Sequence, residues 1–307
     1  MRILVLGSAA GGGYPQWNCN HPNSRRARAG DARAPRRTQS SLAVRADGEH
    51  WTRFNASPDL RQQIGDNAVL HPRHGLRDSP IKAAVLTNAD VDHVAGLLNL
   101  RESQPFALYA TERVHAVLAA NSIFKVLNPE FVPRRAMALD TPFAPAGADG
   151  QPLGFTIEAF AVPGKVALWL ENAAAGADFG TVQQDTVALE VRSGGASFFY
   201  IPACARMTPV LAERLRGAAL VFFDGTLWRD DEMIRDGVGQ KTGGRMGHMS
   251  VSGADGTLAA FRPLDVERRI FIHINTTNPI LIEDTPERTA VEAAGWEVAY
   301  DGMTIEL

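Results

Sequence analysis

Cysteine is almost absent: only Cys19 and Cys204 occur in 307 residues. Two thiols cannot build a disulfide framework, and such usage fits a reducing compartment, so the expected location is the cytoplasm. A charge excess is missing as well. Thirty-one basic against 34 acidic residues leave a net charge of −3, which gives no general attraction to nucleic acid or to an anionic membrane surface. Long apolar runs are also lacking. Ile3–Leu6 is too short for the core of a signal peptide, and no later run approaches the roughly 20 residues of a membrane span. Internal repeats and low-complexity linkers are not seen. The hydrophobic share of 45% and charged share of 21% are those of a folded globular chain, which excludes disordered and collagen-like classes. The length alone suggests about two domains, but no linker separates them, so one domain over residues 1–307 is expected.

Short strand-like runs alternate with helical ones. Arg2–Gly7 reads as a buried strand ended by glycine. Ser41–Arg45 and Trp51–Asn55 read as a hairpin turned at Asp47-Gly48. Ser57-Pro58-Asp59 has the form of a helix start with proline in the first turn. Further strands are expected at Ile81–Leu86, Phe155–Val162, Thr186–Arg192, Phe198–Ile201, Leu220–Phe223, Arg269–Ile274 and Glu297–Tyr300. Helices are expected at Val94–Leu100, Glu112–Asn121, Pro209–Leu215, Gly256–Phe261 and Thr285–Ala294. The arginine-rich stretch Ser24–Arg37 reads as a solvated loop. Gly11-Gly12-Gly13 lacks the spacing of a dinucleotide fingerprint and reads as a tight loop. Two sheets between layers of helices would suit this order, with reactive groups where strands end.

The most informative segment is Thr87-Asn88-Ala89-Asp90-Val91-Asp92-His93, directly after a buried strand. Two carboxylates and an imidazole at the end of an element form a metal-ligand set. The same residues equally suit an acidic helix start. His50, His71, His74 and His115 fall on loops or a helix face and carry no such signal. Cys204, next to a strand end, reads as a small buried side chain.

Asn88-Ala89-Asp90-Val91-Asp92-His93, with Asn55-Ala56-Ser57-Pro58-Asp59, Phe223-Asp224-Gly225-Thr226 and Phe271-Ile272-His273-Ile274-Asn275, resembles the metallo-β-lactamase superfamily. Adding Tyr14-Pro15-Gln16-Trp17-Asn18-Cys19, Met246-Gly247-His248-Met249-Ser250 and His273-Ile274-Asn275-Thr276-Thr277-Asn278-Pro279 narrows the match. The chain then resembles, along essentially its full length, the protein-B family of pyrroloquinoline quinone (PQQ) biosynthesis. The resemblance implies an α/β fold, a metallo-β-lactamase-like αββα sandwich of two mixed sheets flanked by helices.

It also implies a site. The histidines of the superfamily's first metal position map to Asn88, Asp90 and the 161–165 region, none of which is histidine, so that position is broken. The second position maps to Asp92, His93 and His273, with Asp224 at the bridging place, and all four are present. Two imidazoles and one carboxylate match the ligands of non-haem Fe(II) oxygenases, so one divalent metal is expected, Fe(II) first, with Zn or Mn also able to bind. His248 and Asp90 are the expected catalytic side chains, His248 as acid/base or substrate contact rather than metal ligand. Cys19 and His21 offer only half of the four ligands of a structural zinc, and Ser24 stands where a further ligand would be expected.

The implied activity is hydroxylation of the tyrosine ring of the cross-linked Glu–Tyr PQQ precursor, with O₂ as co-substrate. The precursor enters as a small molecule or a peptide-derived unit. Its carboxylates need cations, for which Arg25, Arg26, Lys165 and Arg245 are candidates. A carrier of PQQ or its precursor and a metal-dependent hydrolase remain alternatives. A homodimer is compatible with the resemblance, whereas nucleic acid and membrane are not expected partners.

Overall fold

The computed structural model describes residues 1–46, 48–171 and 181–307, and the strands found there form two sheets. In chain order they are β1 (Arg2–Gly7), β2 (Ser41–Arg45), β3 (Trp51–Phe54), β4 (Ile81–Val85), β5 (Ala107–Ala110), β6 (Arg134–Ala136), β7 (Thr156–Gly164), β8 (Thr181–Ser193), β9 (Ala196–Ile201), β10 (Leu220–Asp224), β11 (Arg268–Ile272), β12 (Trp296–Val298) and β13 (Thr304–Glu306). The first sheet runs β13-β1-β2-β3-β4-β5-β6 and the second β12-β11-β10-β9-β8-β7. Both are mixed. β3 to β6 are parallel, as are β9 to β12, while β13-β1-β2-β3 and β7-β8-β9 are antiparallel.

Strand pleating sorts the apolar residues between layers, because successive side chains point to opposite faces. Ile3 and Val5 of β1 join Leu220 and Phe222 of β10, Phe198 and Tyr200 of β9, and Ile270 and Ile272 of β11 in the core between the sheets. Their neighbours Phe199, Ile201, Val221, Phe223 and Phe271 point the other way, under the helix Pro209–Leu215, the helix Pro286–Ala293 and the segments around Phe261. On the first sheet, Ala84 and Leu108 pack outward under the helix Glu112–Ala120. The result is a four-layer αββα sandwich. Phe222 is wholly buried between the sheets and meets Phe198 edge to face at 6.0 Å. Phe222→Ala is expected to destabilise the fold by about 3–5 kcal/mol, read as a lowered urea midpoint.

Several sequence expectations change. The stretch Ser24–Arg37 is not a solvated loop. Its first part is the helix Pro22–Arg28, whose Ser24 and Ala27 are buried. Arg26 is held by Asp31 and Asp284, and Arg37 is buried against the carbonyls of Ala299 and Leu281. Arg26 and Arg37 are thus drawn from solvent, while Arg25, Arg28, Arg33 and Arg36 are exposed, as composition led one to expect. The expected helix Val94–Leu100 is instead a single α turn, Val91–Val94, followed by the 3-10 helix Ala95–Leu100. The tighter path lets Gly96 lie against the backbone of Ser57, where a Cβ would come within 2.0 Å of the Ser57 carbonyl oxygen. The helix after Ser57-Pro58-Asp59 starts only at Leu60, so Pro58 lies outside it, and Ser57 Oγ turns to Gln63 instead of capping. β2 and β3 pair antiparallel as expected, while Asp47 of the expected turn lies outside the described residues. β6 and β13, at opposite edges of the first sheet, are additional strands. Among the described residues no helix is long and apolar enough to cross a membrane.

Candidate functional site

The loops after β1, β4, β7, β9, β10 and β11 line one cavity of about 550 Å³, which collects Gly11, Asp92, Lys165, Ala203, Thr226 and His273. β10 and β11 pair in parallel and so end at the same edge of their sheet, and the contact between His273 and Asp92 brings the segment after β4 to that edge.

β4 delivers Asn88, Asp90, Asp92 and His93. His93 is buried, and its Nδ1 lies 2.6 Å from Asn88 Oδ1 and 3.4 Å from Thr87 Oγ1. An amide oxygen can only accept, so Nδ1 carries the proton and Nε2 keeps its lone pair. That Nε2 is buried without a hydrogen-bond partner. Asn88 Oδ1 also accepts from the backbone N–H of Asp90, which fixes the carboxamide. Thr87 is held in turn by Asn55, whose Oδ1 accepts from the Thr87 N–H at 2.9 Å. Asn55 has φ of +59°, an uncommon region for a residue other than glycine, and its side chain is thereby aimed back at the end of β4.

β11 ends in His273, also left-handed at φ +59°. Backbone bonds hold this turn: the Ile274 N–H donates to Ser8 O and the Asn275 N–H to Thr226 O. His273 Nε2 lies 3.0 Å from Asp92 Oδ2, and Asp92 Oδ2 lies 3.8 Å from His93 Nε2. The ligand atoms of Asp92, His93 and His273 all fall within 4.8 Å of one another. A second group within the same limit joins Asp224, His248 and His273. His248, which the sequence reading kept apart from the ligands, is therefore in a donor cluster. Its ring stacks on His273 at 5.1 Å.

Thr226 connects the two groups. Its hydroxyl has one proton, and the shortest contact, 2.6 Å to Asp224 Oδ1, takes it. The oxygen then accepts from His273 Nδ1 at 2.9 Å. His248 Nδ1 donates to Asp224 Oδ2 at 2.7 Å, and Asp224 is further fixed by the N–H groups of Cys204 and Thr226. This arrangement leaves Nε2 of His248 as the nitrogen for a ligand or substrate. Thr226→Val removes one donor from buried Asp224 and is expected to cost about 1–3 kcal/mol, measured by urea unfolding. It would also free the ring orientation of His273.

Burial pushes the His93 imidazole down to about 4, against the opposing charge of Asp92. The ring is therefore neutral near pH 7, the form in which imidazole binds metals. Burial alone would also lower His273, but the hydrogen bond and charge of Asp92 outweigh it and hold this imidazole above its usual value. Asp92 is the reverse case: burial would raise its carboxyl, and the His93 and His273 rings hold it well below the usual carboxylate range.

Other expected residues fall elsewhere. Asp90 occupies the cap position of the turn Val91–Val94, but its side chain makes no capping bond and pairs with Lys165 at 3.5 Å. It lines the cavity two residues from Asp92. Cys19 and His21 are not in either donor cluster among the described residues. His21 caps the helix Pro22–Arg28 through Nδ1 and faces Asp236 through Nε2 at 3.2 Å. Ser24 is buried against Thr276. Arg25 and Arg26, offered for substrate carboxylates, do not line this cavity, whereas Lys165 does. Thr226, Lys241 and Glu171 were missed. Thr226 stands in a quoted motif and was recoverable, since a hydroxyl two residues from a buried carboxylate can bond it locally.

The comparisons point one way. Residues 50–274 match the model of the Beta-lactamase superfamily domain. The chain is 58% identical over 305 residues to a Coenzyme PQQ synthesis protein B of Gluconacetobacter diazotrophicus, covering 99% of this chain and 98% of that one. It is 54% identical over 307 residues to the protein of the same name from Xanthomonas oryzae pv. oryzae, with both chains fully covered. The solved structure of Zn(2+)-bound PqqB from Methylobacterium extorquens superposes with a TM-score of 0.95 at 51% identity, covering all of both chains. A diphosphatase of the PhnP family, at 20% identity and TM-score 0.70, shares the fold.

Proposed function

Since the chain belongs to the β-lactamase superfamily and, within it, to the coenzyme PQQ synthesis protein B family, we propose that it acts in PQQ biosynthesis as a non-haem Fe(II)-dependent oxygenase. Its substrate on this reading is the cross-linked Glu–Tyr precursor, and O₂ is the co-substrate. One observation carries the proposal: the partnerless Nε2 of His93, buried at the cavity wall, converges with Asp92 and His273. An orphaned buried acceptor is costly unless a ligand satisfies it. Two imidazoles and a carboxylate around that point fit a divalent cation.

Asp92, His93 and His273 would hold the metal. Bound Fe(II) would supply the one-electron chemistry that O₂ requires, with coordination positions open to substrate and O₂. The Zn(2+)-bound relative supports a divalent metal at this fold. The protein's own groups do the positioning. Asn88 holds the His93 ring, and Thr226 holds His273. His248, oriented by Asp224, offers Nε2 as the base that takes the phenolic proton or returns it. Asn88 occupies a superfamily ligand position but is spent on His93, which argues against a two-metal hydrolase.

The test is aerobic incubation of Fe(II)-loaded protein with the cross-linked Glu–Tyr diamino acid and ascorbate, whose two electrons reduce the second oxygen atom of O₂ to water, following substrate-dependent O₂ uptake and product mass. One oxygen atom gained per turnover supports the oxygenase. Tight binding without any turnover would transfer the reading to a carrier, and cleavage without O₂ uptake to a hydrolase.

A further inference from the structure

The cavity that holds the imidazoles is also lined by two lysines, Lys165 and Lys241, gathered around the carboxylate of Glu171, and Arg245 joins the same carboxylate without lining the cavity. Lys241 Nζ lies 2.8 Å from Glu171 Oε2 and Arg245 Nη1 3.4 Å from the same oxygen. Lys165 Nζ lies 3.7 Å from Glu171 Oε1 and 3.5 Å from Asp90 Oδ2. Glu171 is therefore unevenly served. Oε2 takes two cations, while Oε1 is buried with no hydrogen-bond partner and only the long approach of Lys165. Burial would raise this carboxyl, but Lys241 and the other cations hold it below its usual value, so it is ionised.

A structural salt-bridge cluster satisfies both oxygens of its central carboxylate, and a paired Lys or Arg seldom needs a cavity in front of it. Here Lys165, Lys241, Glu171 and Asp90 all line the same cavity as Asp92, His93 and His273. Lys165 also follows the end of β7, so its stem is fixed by the sheet.

We propose that Lys165 and Lys241 form a carboxylate-recognition subsite, and that Glu171 holds it ready as a resident substitute for a carboxylate of the substrate. The inference rests on the proposed function insofar as the substrate is an amino acid carrying several carboxylates. On binding, a substrate carboxylate displaces Glu171 from Lys165 and Lys241, and the aromatic ring extends past Asp90 toward His248. Selectivity for anionic substrates thus comes from the two lysines rather than from the metal ligands. Glu171 lowers affinity for every carboxylate and so discriminates against weakly bound, singly charged ones.

The experiment is calorimetric titration of the cross-linked Glu–Tyr diamino acid into the full chain, both metal-free and loaded with redox-inert Zn(II), so that binding is read without turnover. Lys165→Met and Lys241→Met are expected to weaken binding by about 10- to 100-fold in both forms. Glu171→Gln is expected to tighten it by about 10-fold, because it removes the competing charge. The methyl-esterified compound should lose most of its affinity, and added salt should weaken the parent compound alone. Unchanged affinity in both lysine variants, or no binding to the metal-free protein, would overturn the subsite. So would Glu171→Gln weakening binding as the lysine variants do, since that is the signature of a purely structural carboxylate. A Glu171→Gln protein that fails to fold leaves the lysine variants and the esterified compound to decide. The two readings fail separately: O₂ uptake indifferent to these variants removes the subsite alone, and the full binding pattern without O₂ uptake removes the oxygenase alone.

Discussion

His93→Ala is expected to abolish turnover, by about 1,000-fold or more, and to weaken divalent metal binding by at least about 100-fold. Outer partners of metal ligands alone cost 10- to 100-fold when removed, and His93 supplies the ligand atom itself on the proposed reading. Only two of three donors, Asp92 and His273, would then remain in that cluster. The fold should survive. The ring fills buried space, but its Nε2 is an unsatisfied buried atom, so deletion removes a favourable and an unfavourable contribution together. Metal-free stability should shift by about 1–2 kcal/mol at most. Equilibrium dialysis against Zn(II) or Mn(II), with a urea melt of the metal-free protein, separates the two effects. Retained metal affinity in a folded His93→Ala protein would contradict the assignment.

Asn88→Ala has the second-largest expected effect, and it acts without touching metal. Asn88 Oδ1 fixes the proton on His93 Nδ1 at 2.6 Å, leaving Nε2 as the donor. Without it the ring keeps only the 3.4 Å contact to Thr87 Oγ1. The His93 tautomer and ring rotation would then be poorly defined, and metal affinity should fall by about 10- to 100-fold. Asn88→Asp keeps an acceptor in the same place and should restore most of the loss. A role as a metal ligand makes a different prediction: Asn88→Asp would then bind metal more tightly than the natural residue. Dialysis of the two variants side by side distinguishes a positioning residue from a ligand.

Individual buried strands such as Ile81–Leu86 and Leu220–Phe223 were legible because each is an apolar run ending in polar residues, whereas the αββα sandwich they build came from the resemblance. β6 and β13 were not, since three-residue edge strands carry too few residues to show a period. The stretch Val94–Leu100 reads as an α-helix but winds as a 3-10 helix over Ala95–Leu100, because the apolar spacing of Val94, Leu97 and Leu98 suits either winding. At the site, Asp92, His93 and His273 were legible only through the resemblance. They come from two sheets and lie 181 positions apart at their extremes, a separation that no local pattern encodes. Asn88 was read for what it lacks as a ligand. Its positive use, holding His93, depends on a side-chain contact across a turn that sequence does not reveal. Lys165 and Arg245 were candidates for substrate carboxylates, but their grouping with Lys241 around Glu171 was hidden for the same reason.

The most direct measurement of the central claim is a single turnover under isotope-labelled O₂ in unlabelled water, repeated with the labels exchanged. The Fe(II)-loaded protein should place label from O₂ on the tyrosine ring of the cross-linked precursor, and His93→Ala should place none. Label arriving only from water, or an unmodified precursor recovered in stoichiometric complex with the protein, would contradict the oxygenase account.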